Sequence, residues 1–295
     1  MKNILFKTVL IFCIGFVAFA VNAQEKEEPS SAAELAKELA NPNTTLGTMA
    51  FPIDFVMYNG DLPGASSQNS TSINFQPNLP IPISKGVNLF VRPFIPVILS
   101  TPTLGATGFE QIGFNLGNIS ADVAIGKTFP SKTIGIVGIF GGFPTATNKA
   151  IRSDGVTLGP EVMVAQLFSW GAIGAMFNHA RGLSSNDDVV DEDEFLIYDS
   201  MPRRASVTAG QYFYVVNLKN AWQITGQPTW AYNHGADKNN RFTFPIGTGL
   251  NKVTKFGKLP VKLTMQYWYY VAAPEAFGPQ HQFRFQIAPV VPLPW

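Results

Sequence analysis

After the first forty or so residues, stretches of roughly ten residues recur in which every second side chain is apolar. Ile73, Phe75, Leu79, Ile81 and Ile83 alternate with Asn74, Gln76 and Asn78. Val261, Leu263, Met265, Tyr267 and Tyr269 alternate with Lys262, Thr264 and Gln266. Phe283, Phe285, Ile287 and Pro289 alternate with Gln282, Arg284, Gln286 and Ala288. Successive side chains of a strand point to opposite faces, so this period gives each strand one apolar and one polar face. An apolar face outward and a polar face inward is the pattern of a transmembrane β-barrel.

The pattern predicts about twelve antiparallel strands, an up-and-down all-β barrel. The candidates run over 47–58, 70–83, 87–99, 109–127, 132–145, 155–168, 170–181, 204–217, 221–233, 241–251, 259–271 and 280–293. Short connections at Ser84-Lys85-Gly86, Phe129-Pro130-Ser131, Ser169 and Lys219-Asn220 alternate with longer polar ones. Short periplasmic turns and longer outer loops are the habit of outer-membrane barrels. The fourth candidate is long, and the turn from Lys252 to Lys258 breaks the rule of short turns. Prolines at 52, 77, 80, 82, 93, 96, 228, 245 and 289 argue against well-paired central strands and point to bulges or bends near the rims. Aromatics near strand ends, namely Phe51, Tyr58, Trp170, Trp222, Trp230, Tyr232, Trp268, Tyr269, Tyr270 and Trp295, would form interfacial girdles.

Ahead of the barrel, Lys2 and Lys7, an apolar run from Val9 to Ala20 and Val21-Asn22-Ala23 read as a secretory signal with its cleavage site. The expected organisation is a signal over 1–23, a periplasmic linker and short helix over 24–45, and the barrel over 46–295. Ser31-Ala32-Ala33-Glu34 is a capping box, so a helix follows and stops before Asn41-Pro42. That helix either tucks at the barrel mouth or plugs it.

Composition narrows the class. Charged residues make up 14% of the chain and aromatics 13%, with a net charge of +1, so no nucleic-acid partner is expected. No stretch after the signal approaches the roughly 20 apolar residues of a helical span. Lipid tolerates no unpaired sheet edge, which leaves a closed barrel in the bacterial outer membrane. Cys13 is the single cysteine and lies in the signal, so Cys-based metal sites and nucleophiles are excluded from the mature chain. His179, His234 and His281 show no metalloprotease spacing, and no nucleophile elbow or phosphate-binding glycine loop stands at a strand-to-helix turn. Neither an enzyme nor a cofactor is expected.

The period-two faces place Asp54, Asn74, Gln76, Arg92, Gln111, Asn115, Glu161, Gln223, Gln227, Lys262, Gln266, Arg284 and Gln286 in the lumen. Arg92 and Arg284 sit among apolar neighbours, and an arginine facing lipid at mid-membrane costs about 2–4 kcal/mol, so both should point inward. There each would contact a solute or pair with a carboxylate such as Asp54 or Glu161. Polar and charged side chains inside a pore set its selectivity. A lumen mixing rings with isolated charges suits a small aromatic or amphiphilic solute; a lumen packed shut by its own side chains is the alternative. The acidic run of Asp187, Asp188, Asp191, Glu192, Asp193 and Glu194 falls in an outer loop, as a solvated acidic segment or a hard-cation site.

Several short motifs resemble a bacterial outer-membrane barrel family often labelled "neuromedin U", itself similar to the transporters assigned to the phenol meta-cleavage pathway. They are Ala33-Glu34-Leu35-Ala36-Lys37 with Leu39-Ala40-Asn41-Pro42, Asn74-Phe75-Gln76-Pro77, Val91-Arg92-Pro93 and Phe143-Pro144-Thr145-Ala146-Thr147. Leu158-Gly159-Pro160, Asn178-His179, Gly257-Lys258-Leu259-Pro260-Val261 and Phe283-Arg284-Phe285-Gln286 follow in the family's order. The resemblance implies an outer-membrane transporter without fixing its solute. Its expected partners are outer-membrane lipid, a small solute and the barrel assembly machinery, which would read the aromatic Trp295 after Pro292-Leu293-Pro294.

Overall fold

The computed structural model describes residues 31–183 and 205–295. The signal, the charged linker and the acidic run lie outside the described residues. One helix, α1 (Ala32–Glu38), precedes the strands β1 (Gly47–Asn59), β2 (Asn69–Ser84), β3 (Val87–Gly105), β4 (Gly108–Ile112), β5 (Asn115–Leu116), β6 (Ser120–Thr128), β7 (Thr133–Gly142) and β8 (Thr157–Phe168). Then come β9 (Gly171–Gly182), β10 (Ser206–Asn217), β11 (Trp222–Gly226), β12 (Thr229–Asn233), β13 (Phe242–Phe256), β14 (Leu259–Ala272) and β15 (Gly278–Val291).

Antiparallel neighbours pair in sequence order, and β1 pairs with β15 from Gly47↔Val291 to Asn59↔Gly278, so the sheet closes on itself. The result is a barrel of 12 strands. β11 and β12 form one of the twelve, because each lies between β10 and β13 in an unchanged register. The break between them falls at Gln227-Pro228, where proline has no N–H to give the ladder. The hydroxyls of Tyr212 and Tyr214 on β10 reach past this gap to the carbonyls of Pro245 and Gly247 on β13, at 3.0 and 3.2 Å. They occupy acceptors that the interrupted ladder leaves open.

Three expectations need correction. The candidate at 109–127 is not one strand. β4 and β5 pair back on the far end of β3, as Leu104↔Phe109 and Ile98↔Asn115, and only β6 joins the wall. Gln111 and Asn115 therefore sit in this outer extension, exposed or half-buried, and not among the lumen wall residues. The turn at 252–258 shrinks to Gly257-Lys258, because β13 continues to Phe256 and Gly257 takes the left-handed φ of 62° that a tight hairpin needs. The prolines lie mostly within unshifted strands: Pro52 pairs with Gln286, Pro93 with Ala121, Pro96 with Asn74 and Pro289 with Val261. Register shifts occur near the strand ends, at Met57/Tyr58, Thr71/Ser72, Pro82/Ser84 and Phe244/Pro245, so two of the nine prolines border one.

Apolar side chains cover the outside. Val123, Ile125, Val137, Ile139, Val162, Val164, Ile173, Leu250, Met265 and Phe285 are all well exposed on it. A closed barrel with such a band is built to stand in lipid, with its polar ladder groups satisfied from strand to strand. This is the architecture of bacterial outer-membrane proteins. Trp170 stacks on Phe168 at one rim, at 4.9 Å, while Phe177, Trp230 and Phe242 form a chain of ring contacts at the other. Past β15 the chain crosses the start of β1, where Leu293 lies against Gly47, and the Trp295 indole N–H donates to the Pro80 carbonyl of β2 at 2.8 Å.

The barrel lumen as candidate functional site

Contacts that skip strands fix which face points inward. The Arg92 guanidinium on β3 donates to Asp122 on β6 at 2.7 Å and reaches Glu161 on β8, past the intervening β7. Such a bond is possible only inside the barrel. Register then carries the same face round the wall: Arg92↔Asp122, Asp122↔Phe140, Gly138↔Glu161, Glu161↔Asn178. Arg92 also lies over the Phe90 ring at 5.8 Å.

A second cluster stands on the opposite seam. Arg284 on β15 makes a bidentate pair with Asp54 on β1, at 2.7 and 2.9 Å. Asn74 of β2 and Gln282 of β15 also donate to Asp54, at 3.1 and 2.9 Å, so its carboxylate is fully engaged. The guanidinium plane lies 4.5 Å from the Trp268 ring, and the Trp268 indole N–H is held by Gln266 at 2.9 Å. Trp268, at 1% exposure, therefore belongs to the lumen, not to a girdle. Tyr270, which donates to Gln282, and Tyr58, whose hydroxyl lies 3.0 Å from that of Ser70 on the Asp54 face, are corrected in the same way.

The remaining expected residues fall on the same face. Lys262, Gln266 and Thr264 share parity on β14, opposite Val253, Gly249 and Asn251 of β13. Gln286 pairs with Thr264 and is buried. Gln223 is buried on β11 beside Asn251, whose amide donates to it. Gln227 occupies the β11–β12 break, where its backbone N–H donates to Gln266 at 3.3 Å. Gln76 shares the Asn74 face by register and is exposed.

Sequence reasoning missed two things about this interior. The first is Asp122, the second carboxylate on Arg92. The second is that the inner face is divided. From β3 to β10 it carries a packed apolar cluster of Phe90, Ala124, Ile134, Ile136, Met163 and Ala165, with Leu167, Met176 and Phe213 against it. From β11 round to β2 it carries Gln223, Asn251, Lys262, Thr264, Gln266, Gln282, Gln286, Asp54 and Asn74.

One mouth is crossed by the N-terminal segment. Ser31 and Glu34 cap α1 reciprocally, as the side chain of each accepts from the other's backbone N–H. The bond from the Ser31 backbone N–H, with the neighbouring Ser31 hydroxyl and Lys37, holds the exposed Glu34 carboxyl below its ordinary value of 4.5. Leu35 and Ala36 pack on Ala221 and Val253, while Gln223 donates to the Ala36 carbonyl at 2.8 Å. Seven residues on, Asn43 donates to Thr128 at 2.7 Å and to the Gly86 carbonyl at 3.1 Å, and Asn88 donates to the Asn43 carbonyl. Those anchors lie on β11–β13 and on β3–β6, half a circumference apart in the strand order. The segment thus spans the mouth between opposite walls, at the end where the short turns lie.

Among solved structures, the chain is similar to an outer membrane channel from Pseudomonas putida F1, with 14% identity and a TM-score of 0.57 over 83% of this chain and 94% of that one. It is also similar to the NanC porin, with 10% identity and a TM-score of 0.49 over 82% and 100% of the two chains. The Pseudomonas putida toluene transporter TodX is similar at 12% identity and a TM-score of 0.41, over 87% and 92%. The first likeness shows the barrel fold, and the other two are too distant to add to it. No protein-family model and no curated protein matches the sequence.

Proposed function

We propose that the protein is an outer-membrane channel or transporter for the passive passage of small solutes of aromatic or weakly polar character. The observation that carries this reading is the divided inner wall. A solute moving along it meets rings and aliphatic groups around the Arg92–Asp122–Glu161 cluster on the β3–β10 side and amides, a lysine, the Trp268 ring and the Arg284–Asp54 pair on the other. A small molecule with an apolar body and a polar edge can satisfy both kinds of lining at once, whereas a fully apolar molecule leaves the amides and charges unmet. The resemblance of the sequence motifs to the outer-membrane transporter family supports the same reading. The name of the first structural neighbour, an outer membrane channel, is compatible with it.

A second reading is a closed barrel with a structural or surface-binding role. It is favoured by the N-terminal segment across the mouth and by the packing around Phe90, which together fill one end of the lumen. Reconstitution separates the two. Under the transport reading the full-length protein gives discrete conductance steps in planar bilayers, and loaded liposomes swell faster with small phenolic solutes than with sugars of equal size. Silence in both assays, for the full-length protein and for a variant lacking residues 31–43, would sink the transport reading.

A further inference from the structure

We infer that the outer face of β9, β10 and β12, at the loop-bearing rim, binds a phosphate group of the outer-leaflet glycolipid. The inference does not depend on what passes through the lumen.

His179 and Arg181 share the outward face of β9, since their parity is that of Ile173 and Phe177 on the apolar band. Their cross-strand partners on β10 are Thr208 and Ser206. Thr208 in turn faces Tyr232 of β12, and His234 follows that strand. One hydroxyl organises the group: Thr208 Oγ1 lies 2.9 Å from His179 Nδ1 and 2.8 Å from His234 Nε2. The two imidazoles meet edge to face at 5.4 Å, and Tyr232 closes on His234 at 4.9 Å. The bond to Thr208 fixes both ring planes and leaves His179 Nε2 and His234 Nδ1 without a hydrogen bond among the described residues. Arg181 is exposed and makes no ion pair among the described residues. Among the described residues no carboxylate belongs to the group.

Height in the membrane selects the ligand. Immediately below the cluster stand Phe177 and Trp230, rings that mark the lipid interface. Lipid chains lie on the band beneath, so the polar head of the same lipid comes level with the cluster. In the outer leaflet of this membrane that head carries phosphates. The Arg181 guanidinium, the Ser206 hydroxyl paired across from it and an outward imidazole N–H match a phosphate's several acceptor oxygens.

The test uses full-length protein in detergent, titrated with bisphosphorylated lipid A and, separately, with lipid A stripped of both phosphates, each followed by native mass spectrometry. The wild type should retain the phosphorylated lipid and largely lose the stripped one. Replacing Arg181→Ala, His179→Gln and His234→Gln together should weaken retention at least about tenfold. Arg181→Gln alone should weaken it less, and Lys127→Ala, at the other rim, should leave it unchanged. Heat-modifiable migration on a gel shows that each variant is folded; if the triple variant is not, the Arg181→Gln variant decides. Equal retention of the two lipids, undiminished binding by a folded Arg181→Gln variant, or an equal loss in Lys127→Ala overturns the inference.

Discussion

Arg92 holds two carboxylates and Arg284 holds one, so removing either changes the lumen charge by more than one side chain's worth of contacts. Arg284→Ala leaves Asp54 with only the amides of Asn74 and Gln282. Arg92→Ala leaves Asp122 and Glu161 with no ion-pair partner among the described residues. Both variants should insert, at a cost of about 2 kcal/mol for the partly solvated pair that is broken. The reversal potential of an open pore in a KCl gradient should shift toward cations, further for Arg92→Ala. An unchanged potential in both would end their role in selectivity. The Arg284–Asp54 pair was within reach of the sequence, because β1 and β15 alternate cleanly. Asp122 was not, since the hairpin at 101–112 merged with the true strand and hid its parity. The apolar inner patch was hidden for a different reason: Ile134 and Ile136 face inward while Val137 and Ile139 face lipid, so β7 shows no polar alternation to read. Trp268 was misplaced although the signal was present. It shares its parity with Thr264 and Gln266, and that places a ring more reliably than its closeness to a strand end.

At the scale of elements, α1 and its extension act as a crossbar with two seats. One is Gln223 with Val253; the other is Asn43 between Asn88 and Thr128. The capping box made the helix legible in advance. Its place across the mouth was not, because the residues that receive it are spread over strands far apart in sequence. Replacing Asn43→Ala and Gln223→Ala together removes the side-chain hydrogen bonds of both seats, leaving the Asn88 bond to the residue 43 carbonyl, and should raise mean conductance several-fold without altering barrel migration on gels. Unaltered conductance would mean that the segment does not limit flow. Acid should act in the same direction. Glu34's carboxyl is held below 4.5 by the cap, so the cap's support is complete above that value and is lost as pH falls through the lowered one. Conductance should therefore increase below pH 4.5 in the wild type. In Glu34→Gln this acid step should be absent; its persistence there would place the proton elsewhere.

For the whole molecule, closure is the governing fact. A ring with no free edge in a membrane resists detergent until it is heated, so the unboiled protein should run faster than the boiled one on a denaturing gel. Identical migration would contradict a closed ring. Closure was legible from alternating apolar strands without a spanning helix, because lipid tolerates no unpaired sheet edge. The exact wall was not, because hairpins that leave the barrel follow the same period-two pattern as strands that stay in it. β3 shows this most clearly. Its 19 residues rise roughly 60 Å, while a tilted strand needs only about 9–11 residues to cross the membrane. The surplus carries β4 clear of the rim and ends in the turn Gly105-Ala106-Thr107-Gly108. On a living bacterium that turn would be an exposed antigen, among the first parts of the chain that an antibody or a phage tail fibre meets. A short epitope inserted between Ala106 and Thr107 should be stained on intact cells; staining only after permeabilisation would mean that the barrel stands the other way up.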